Sequence, residues 1–216
     1  FLGPGTTLEA CRNTNRAGVG IELNERFIPY ALEVTRQMTL QKSNSLKVIH
    51  DDCRNLLNHV KEESVQLMVT SPPYANFIQK SVEDRENTHK TSLIKLENNS
   101  TVNPYSNKKE DFGNLEYPSF LKEIKEVMKK LFITTKKGGY NVWVIKDHRD
   151  TKNKIPYISF HSDLAKIGEE VGFKHHDLII WDQTGQRKLV LLGYPSVFYT
   201  NQNCSFLVVL RKPYGN

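Results

Sequence analysis

The sequence predicts an α/β protein built on a mostly parallel sheet with helices on both faces. Short apolar runs alternate with stretches of helical apolar spacing, several runs end on an acid or a Gly/Pro signal, and no internal repeat is present.

The alternation starts with Leu8-Glu9-Ala10-Cys11, a helix opened by Gly3-x-Gly5-Thr6-Thr7. Gly18-Val19-Gly20-Ile21-Glu22 reads as a short buried strand ending on an acid. Phe27, Tyr30, Ala31, Val34 and Met38 then recur at helical spacing, which predicts a helix from about Glu25 to Met38. Leu46-Lys47-Val48-Ile49-His50 is the next strand, ending on Asp51-Asp52, and Leu56, Leu57 and Val60 suggest a short helix. Val65-Gln66-Leu67-Met68-Val69 is a third strand that runs straight into Ser71-Pro72-Pro73-Tyr74.

From about Ala75 to Asn114 the composition changes to Asn, Ser, Thr, Lys and Glu, with Leu93-Ile94 the one notable apolar pair. A polar insert of that length inside a domain is a functional or a disordered loop. Regular patterning returns with the helical face Phe120, Ile124, Val127, Met128 and Leu131. Lys137-Gly138-Gly139 is expected to stop that helix before the strand Tyr140 to Ile145. A helix on Phe160, Leu164, Ile167 and Val171 ends at Gly172, and the strands Leu178-Ile179-Ile180-Trp181 and Ser205 to Leu210 close the chain.

The 216 residues fit one domain, 1–216, with the polar insert at about 75–114. No apolar run approaches the roughly 20 residues of a membrane span, and the first residues carry no signal-peptide pattern. Cys11, Cys53 and Cys204 are odd in number, scattered and free of a Cys-x-x-Cys pair. No disulfide framework and no metal site are expected; all three read as buried small hydrophobes in a protein of the reducing cytoplasm. The formal net charge of +6 suits a polyanionic partner such as nucleic acid.

In an open parallel sheet, ligands bind at the carboxyl ends of the strands. The segment Phe1 to Thr7, Glu22, Asp51-Asp52 and Ser71 to Tyr74 all fall there. Gly3 and Gly5 allow close backbone approach to a ligand, and the following helix offers open N–H groups; an ordinary Gly-Pro-Gly turn is the alternative. Phosphate binding is also open, although the Walker lysine is missing. Glu22 is placed to accept two ribose hydroxyls, or is simply a solvated acid before the next helix. Asp52 could accept from an adenine amine; Asp51 could take that role or cap the helix that follows.

Ser71-Pro72-Pro73-Tyr74 is the most specific signal. Two prolines directly after a buried strand remove N–H donors and restrict the residue before them. The resulting rigid loop presents carbonyls outward, which suits a substrate that donates two N–H bonds, such as a base amine. Ser71 adds an acceptor and Tyr74 a flat stacking face.

These pieces resemble the amino-methyltransferase family that makes N4-methylcytosine or N6-methyladenine in DNA. Phe1-Leu2-Gly3-Pro4-Gly5-Thr6-Thr7 resembles its Phe-x-Gly-x-Gly cofactor loop, and Gly20-Ile21-Glu22-Leu23-Asn24 its ribose-binding motif. His50-Asp51-Asp52-Cys53 resembles the family's His-Gly-Asp-Cys, which aligns Asp52 with the adenine-binding acid and puts Asp51 in the glycine place. Phe112-Gly113-Asn114-Leu115, Lys137-Gly138-Gly139-Tyr140, Gly172-Phe173, Ile179-Ile180-Trp181 and Asn203 to Lys212 are similar as well. The cofactor motif precedes Ser-Pro-Pro-Tyr here, the permuted order.

The resemblance implies a Rossmann-like S-adenosylmethionine-dependent methyltransferase fold with a seven-stranded-type sheet whose first strand, normally just before the Phe-x-Gly loop, is missing. An upstream fragment or a second chain is then expected to complete the sheet. It implies S-adenosyl-L-methionine as cofactor, held by Phe1, Gly3, Gly5, Thr6, Thr7, Glu22, Asp51, Asp52 and Cys53. Ser71, Pro72, Pro73 and Tyr74 are implied as the catalytic loop and double-stranded DNA with a flipped base as substrate. Serine at the first loop position is associated with cytosine N4, as in a restriction-modification methylase; adenine N6 is the alternative.

The reaction the resemblance implies is direct displacement, so no cysteine is needed as nucleophile. Lys80, Arg85, Lys90, Lys95, Lys108 and Lys109 of the insert, offset by Glu83, Asp84, Glu86 and Glu97, are candidate DNA contacts, as is Gln186-Arg187-Lys188. His175-His176, before a strand, reads as a surface pair. An RNA or protein amine methyltransferase, a catalytically silent DNA-binding subunit and a nucleotide-binding oxidoreductase are the rival classes.

Overall fold

A computed structural model describes residues 1–36, 45–77, 111–150, 153–186, 191–192 and 199–215. These form two compact units. The first comprises Phe1–Pro72, Lys125–Asp147 and Ser159–Asn216, the second Pro73–Ile124 and His148–Ile158. Met38 and the charged insert residues from Lys80 to Lys109 lie outside the described residues, as do Arg187 and Lys188.

Strands β1 (Gly18–Glu22) and β2 (Leu46–His50) pair in parallel, with Glu22 opposite His50. Helices α1 (Thr6–Asn13) and α2 (Ile28–Arg36) pack against this pair. The expected helix from Glu25 begins as a single 3₁₀ turn, Glu25–Phe27, capped by the Asn24 side chain, which accepts from the Arg26 N–H. The α-helix starts only at Ile28, with Pro29 in its first turn, where a missing N–H costs nothing. Similarly, the short helix around Leu56 is 3₁₀, Cys53–Asn58.

Strand β3 (Val65–Thr70) runs parallel to β4 (Thr135–Ile145) in a second sheet of order β3-β4-β10-β7. Here β7 is Lys174–Asp182 and β10 is Cys204–Arg211, and β10 runs antiparallel to both its neighbours. Strands β3, β4 and β7 therefore share one direction and β10 opposes them. Helix α3 (Tyr117–Thr134) leads straight into β4, and α4 (Phe160–Val171) packs on β10 and β7 before Gly172 ends it at φ 116°.

Lys137-Gly138-Gly139 does not stop a helix; it lies within β4. The pairing partner jumps from Thr135, opposite Val65, to Tyr140, opposite Leu67, so these residues form a bulge. Likewise His175 and His176 are inside β7 rather than before it. Short hairpin pairs β5 (His148–Asp150) with β6 (Ile155–Ile158) and β8 (Leu191–Leu192) with β9 (Tyr199–Thr200) complete the described strands.

Among the described residues, β1 pairs only with β2, and β3 only with β4. The sheet is thus in two pieces, with one edge of β1 and one edge of β3 left without a strand partner. Val19 is 48% exposed, Leu67 46% and Val69 37%, high values for apolar residues of parallel strands.

The core of the first unit centres on Trp143, Met128, Ile145, Phe160, Leu164, Val208 and Leu210, all 1% exposed or less. In the second unit Phe112, Phe120, Ile124 and Ala75 are buried, with Phe112 and Phe120 in edge-to-face contact. The cysteines differ from expectation. Cys11, Cys53 and Cys204 are in no disulfide and are half-buried rather than buried. Among the described residues no helix is long and apolar enough to cross a membrane.

One buried charge ties the first unit's turns together. Lys212 donates from Nζ to the Phe132 and Thr135 carbonyls at 2.8 and 2.9 Å, at the carboxyl end of α3, and reaches Glu63 at 3.3 Å. A cation satisfies carbonyls that the helix leaves open and complements its dipole. Replacing Lys212 with Met should destabilise the protein by about 1–3 kcal/mol, the cost of stranding buried acceptors, measurable as a lower urea midpoint at unchanged slope.

Candidate functional site

The loop that opens the chain is shaped by its glycines. Gly5 is the N-cap of α1 at φ 103°, a left-handed conformation, and a Cβ there would come within 2.9 Å of the Ala31 backbone. No side chain caps the N–H groups at the start of α1. Gly20 on β1 serves the same loop, since Leu2 lies over it where a Cβ would meet that side chain at 2.5 Å. Phe1 closes the arrangement: its amino group donates to the Ile21 carbonyl at 3.1 Å, and its carbonyl accepts from Thr70 Oγ1 at 3.0 Å. The loop therefore touches the carboxyl ends of both β1 and β3.

Glu22, 9% exposed, holds the loop from the β1 end. Its Oε2 accepts the Gly3 N–H at 2.7 Å and its Oε1 the Asn24 N–H at 2.8 Å. Each oxygen keeps a second lone pair, so the carboxylate can still accept two hydroxyls. The Glu22 carbonyl in turn accepts from the Asp51 N–H at 3.1 Å.

The two aspartates after β2 have different partners. Asp52 caps the 3₁₀ helix by accepting the Arg54 N–H at 2.8 Å, the role considered for Asp51, and it forms a forked pair with the Arg54 guanidinium at 2.6 to 3.1 Å. Partial burial works against its ionisation, but the Arg54 hydrogen bonds outweigh that and hold the carboxyl below its usual range. Asp51 accepts from His59 Nε2 at 2.6 Å, Asn55 at 2.8 Å and the Asp52 N–H at 2.7 Å. Those bonds, His59's first, lower its pKa to about 2.

Arg54 and His59 are site residues that the sequence analysis missed. The Asp-x-Arg cap spacing could have flagged Arg54, whereas His59 reaches Asp51 only because the 3₁₀ turn brings it back. Cys53 lies between Asp52 and Arg54 in the chain, and desolvation pushes its thiol up to about 12. It is protonated at neutral pH and cannot serve as a thiolate.

Behind the loop, Phe1, Leu2, Gly20, Cys53, Thr70 and Trp143 help line an apolar cavity of about 110 Å³ between β1 and β3. The polar groups described above lie at the strand ends.

Ser71 and Pro72 follow β3 in the first unit, Ser71 exposed and Pro72 buried. Pro73 and Tyr74 begin the second unit. There the turn continues through Ala75, in the left-handed region at φ 47°, and the Tyr74 carbonyl accepts from the Phe77 N–H at 3.2 Å. Among the described residues no cluster of His, Cys, Asp or Glu is arranged to hold a metal ion.

No protein-family model matches the chain. A type II methyltransferase of Methanocaldococcus jannaschii, M.MjaVI, is 28% identical over 145 residues, which is 66% of this chain and 56% of that protein. The chain thus spans little more than half the length of this curated relative. A SAM-dependent methyltransferase from Methanosarcina mazei aligns over 99% of this chain and 90% of its own at TM-score 0.52 with 14% identity. TrmN from Thermus thermophilus aligns over 98% of this chain and 42% of its own at TM-score 0.52 with 11% identity. The fold is that of the Rossmann-like S-adenosylmethionine-dependent methyltransferases.

The Asp51 contacts make a titration prediction. Its carboxyl is depressed in the folded state, so its contribution to stability is complete above the model-compound value of 3.8 and is lost as pH falls through about 2. Carbon-13 NMR of the Asp51 carboxyl should give a midpoint near 2, and His59→Ala should move it up towards 3.8. An unmoved midpoint in that variant would show that His59 is not the main cause.

Proposed function

We propose that this chain is the catalytic region of an S-adenosylmethionine-dependent DNA methyltransferase, acting as one domain on an exocyclic base amine. One observation carries the reading. The glycine loop, Glu22 and the Asp51-Asp52 pair converge at adjacent strand ends, beside the strand that feeds Ser71-Pro72. The similarity to the type II methyltransferase M.MjaVI supports DNA as the substrate.

The donor set fits the cofactor. Glu22 would accept the ribose hydroxyls on its remaining lone pairs, and Asp52 would accept the adenine amine while keeping Arg54. Phe1, Gly3, Gly5, Thr6 and Thr7 would line the approach, with Asp51 and Cys53 supporting Asp52 from either side. When bound, S-adenosylmethionine supplies an electrophilic methyl group.

The chain's own residues prepare the nucleophile. An exocyclic amine is a weak one, because its lone pair is delocalised into the ring. The Ser71 hydroxyl and the Pro72 carbonyl would accept its two N–H bonds, favouring a pyramidal nitrogen with a localised pair, and Tyr74 would stack on the ring. Much of the acceleration then comes from orientation. The target atom is inaccessible in a duplex, so the base is flipped out at a cost of a few kcal/mol.

Serine at the head of the loop favours cytosine N4 over adenine N6, with a restriction-modification system as the setting. Among the described residues, the two parallel edges without a strand partner and the exposed Val19, Leu67 and Val69 favour one further apolar strand beside β1 and β3, from another segment or a second chain.

Incubation with labelled S-adenosylmethionine and double-stranded DNA, followed by digestion to nucleosides, should yield N4-methylcytosine. N6-methyladenine would move the assignment to adenine, and label confined to RNA or protein would overturn the reading. DNA retained without label would mark a silent subunit. Glu22→Gln should weaken cofactor binding roughly ten- to a hundred-fold by calorimetry, as expected for weakened hydrogen bonds to a charged acceptor.

A further inference from the structure

Within the second unit, Tyr74 belongs to a row of rings in contact. The Tyr74 and His148 rings meet edge-to-face, with centroids 4.8 Å apart and planes at 63°. Phe77 stacks on the same imidazole at 4.9 Å and 25°, and Tyr117 lies against Phe77 at 5.5 Å. His148 itself opens strand β5 and is paired there with Ile158 of β6, so its backbone is fixed by a hairpin outside the loop.

The turn bearing Tyr74 is fastened at other points too. Asn76 donates its backbone N–H to the Leu115 carbonyl at 3.0 Å and its side-chain amide to Glu116 Oε1 at 2.6 Å. Ala75, completely buried, keeps the left-handed φ of 47° that an alanine adopts only when its surroundings impose it. The turn therefore has a set backbone, but a tyrosine on a set backbone still has two rotatable side-chain bonds. Phe77 and Ala75 are buried whereas Tyr74 is half-exposed. A T-shaped contact engages at most one face of a ring.

We propose that His148 is a positioning residue, which locks the Tyr74 ring from one side so that it is presented ready for an incoming base. The assignment rests on the reading of Tyr74 as the stacking face for the target base. A flipped base is held by stacking, and a ring that is already fixed loses little freedom when the base arrives. Phe77 completes the device by backing the imidazole. The aromatic contact, not the charge or hydrogen bonding of the imidazole, is the active feature, so phenylalanine at 148 is expected to substitute for histidine.

The test combines a direct view of the ring with kinetics. Fluorotyrosine placed at position 74 reports the ring by fluorine NMR, in the unmodified protein and in His148→Ala and His148→Phe variants. His148→Ala should shift and sharpen the Tyr74 line as the ring gains freedom, and His148→Phe should restore it. In methyl transfer to duplex DNA, His148→Ala should lower kcat roughly three- to ten-fold, the range an aromatic pair supports. Cofactor affinity should be unchanged, the thermal midpoint should fall modestly with the lost ring contacts, and His148→Phe should recover both the rate and the midpoint. In a Tyr74→Ala background, His148→Ala should have no further effect.

A Tyr74 line unaffected by His148→Ala would overturn the inference, as would equal losses from that change with and without Tyr74. A failure of the unmodified protein to methylate DNA counts against the methyltransferase reading instead. The fluorine spectra then still decide whether His148 fixes the ring.

Discussion

The carboxylate of Glu22 is the joint on which the candidate site depends. One oxygen holds the glycine loop through Gly3, the other holds the turn into α2 through Asn24, and the residue's carbonyl receives the Asp51 N–H. Three segments far apart in the chain are thus gathered at the end of one strand. A nearly buried carboxylate is costly unless its oxygens are satisfied, and here backbone N–H groups that would otherwise be stranded satisfy it. The same bonds leave lone pairs on both oxygens, so the arrangement that builds the site also equips it to bind.

Around that joint the loop owes its path to the absence of side chains at two places. Gly5 brings the start of α1 against Ala31, and Gly20 lets Leu2 lie flat on β1. Farther along the strand ends, electrostatics replaces sterics. Arg54 and His59 hold Asp52 and Asp51 ionised, so the acids remain acceptors well below neutral pH. Cys53, between Asp52 and Arg54, has its thiol pushed up to about 12 by desolvation. The chemistry left to this edge is acceptance of hydrogen bonds rather than nucleophilic attack by the protein, which is what a direct displacement asks for.

The second unit solves a different problem, keeping an aromatic ring fixed at the end of a proline-rich turn. The strained Ala75, the Asn76 anchors and the ring row through His148 and Phe77 all restrict the same few residues. On the proposed reading of Tyr74, rigidity at that point would help, because a flipped base brings its own cost of unstacking and gains most from a partner that is already ordered.

The alternation of apolar runs and helical stretches was enough to read the α/β class and every strand from β1 to β4, because a buried strand and an amphipathic helix each write their period into the chain. The strand-end positions of Glu22, Asp51, Asp52 and Ser71 were also legible, since acids and prolines after an apolar run are conspicuous. Other features depended on three-dimensional neighbours. Lys137-Gly138-Gly139 looks like a helix stop, yet its pairing with β3 makes it a bulge. His175 and His176 look like a loop pair, yet β10 draws them into β7. Arg54, His59 and His148 carry no periodic signal, and each earns its role only through the side chain it meets. Local sequence thus determined the longer regular segments and where polar groups interrupt them, while the short strands β5, β6, β8 and β9 went unread. Tertiary structure decided which polar group faces which, because a hydrogen bond or ring contact across many residues depends on the path of the whole chain rather than on any local preference.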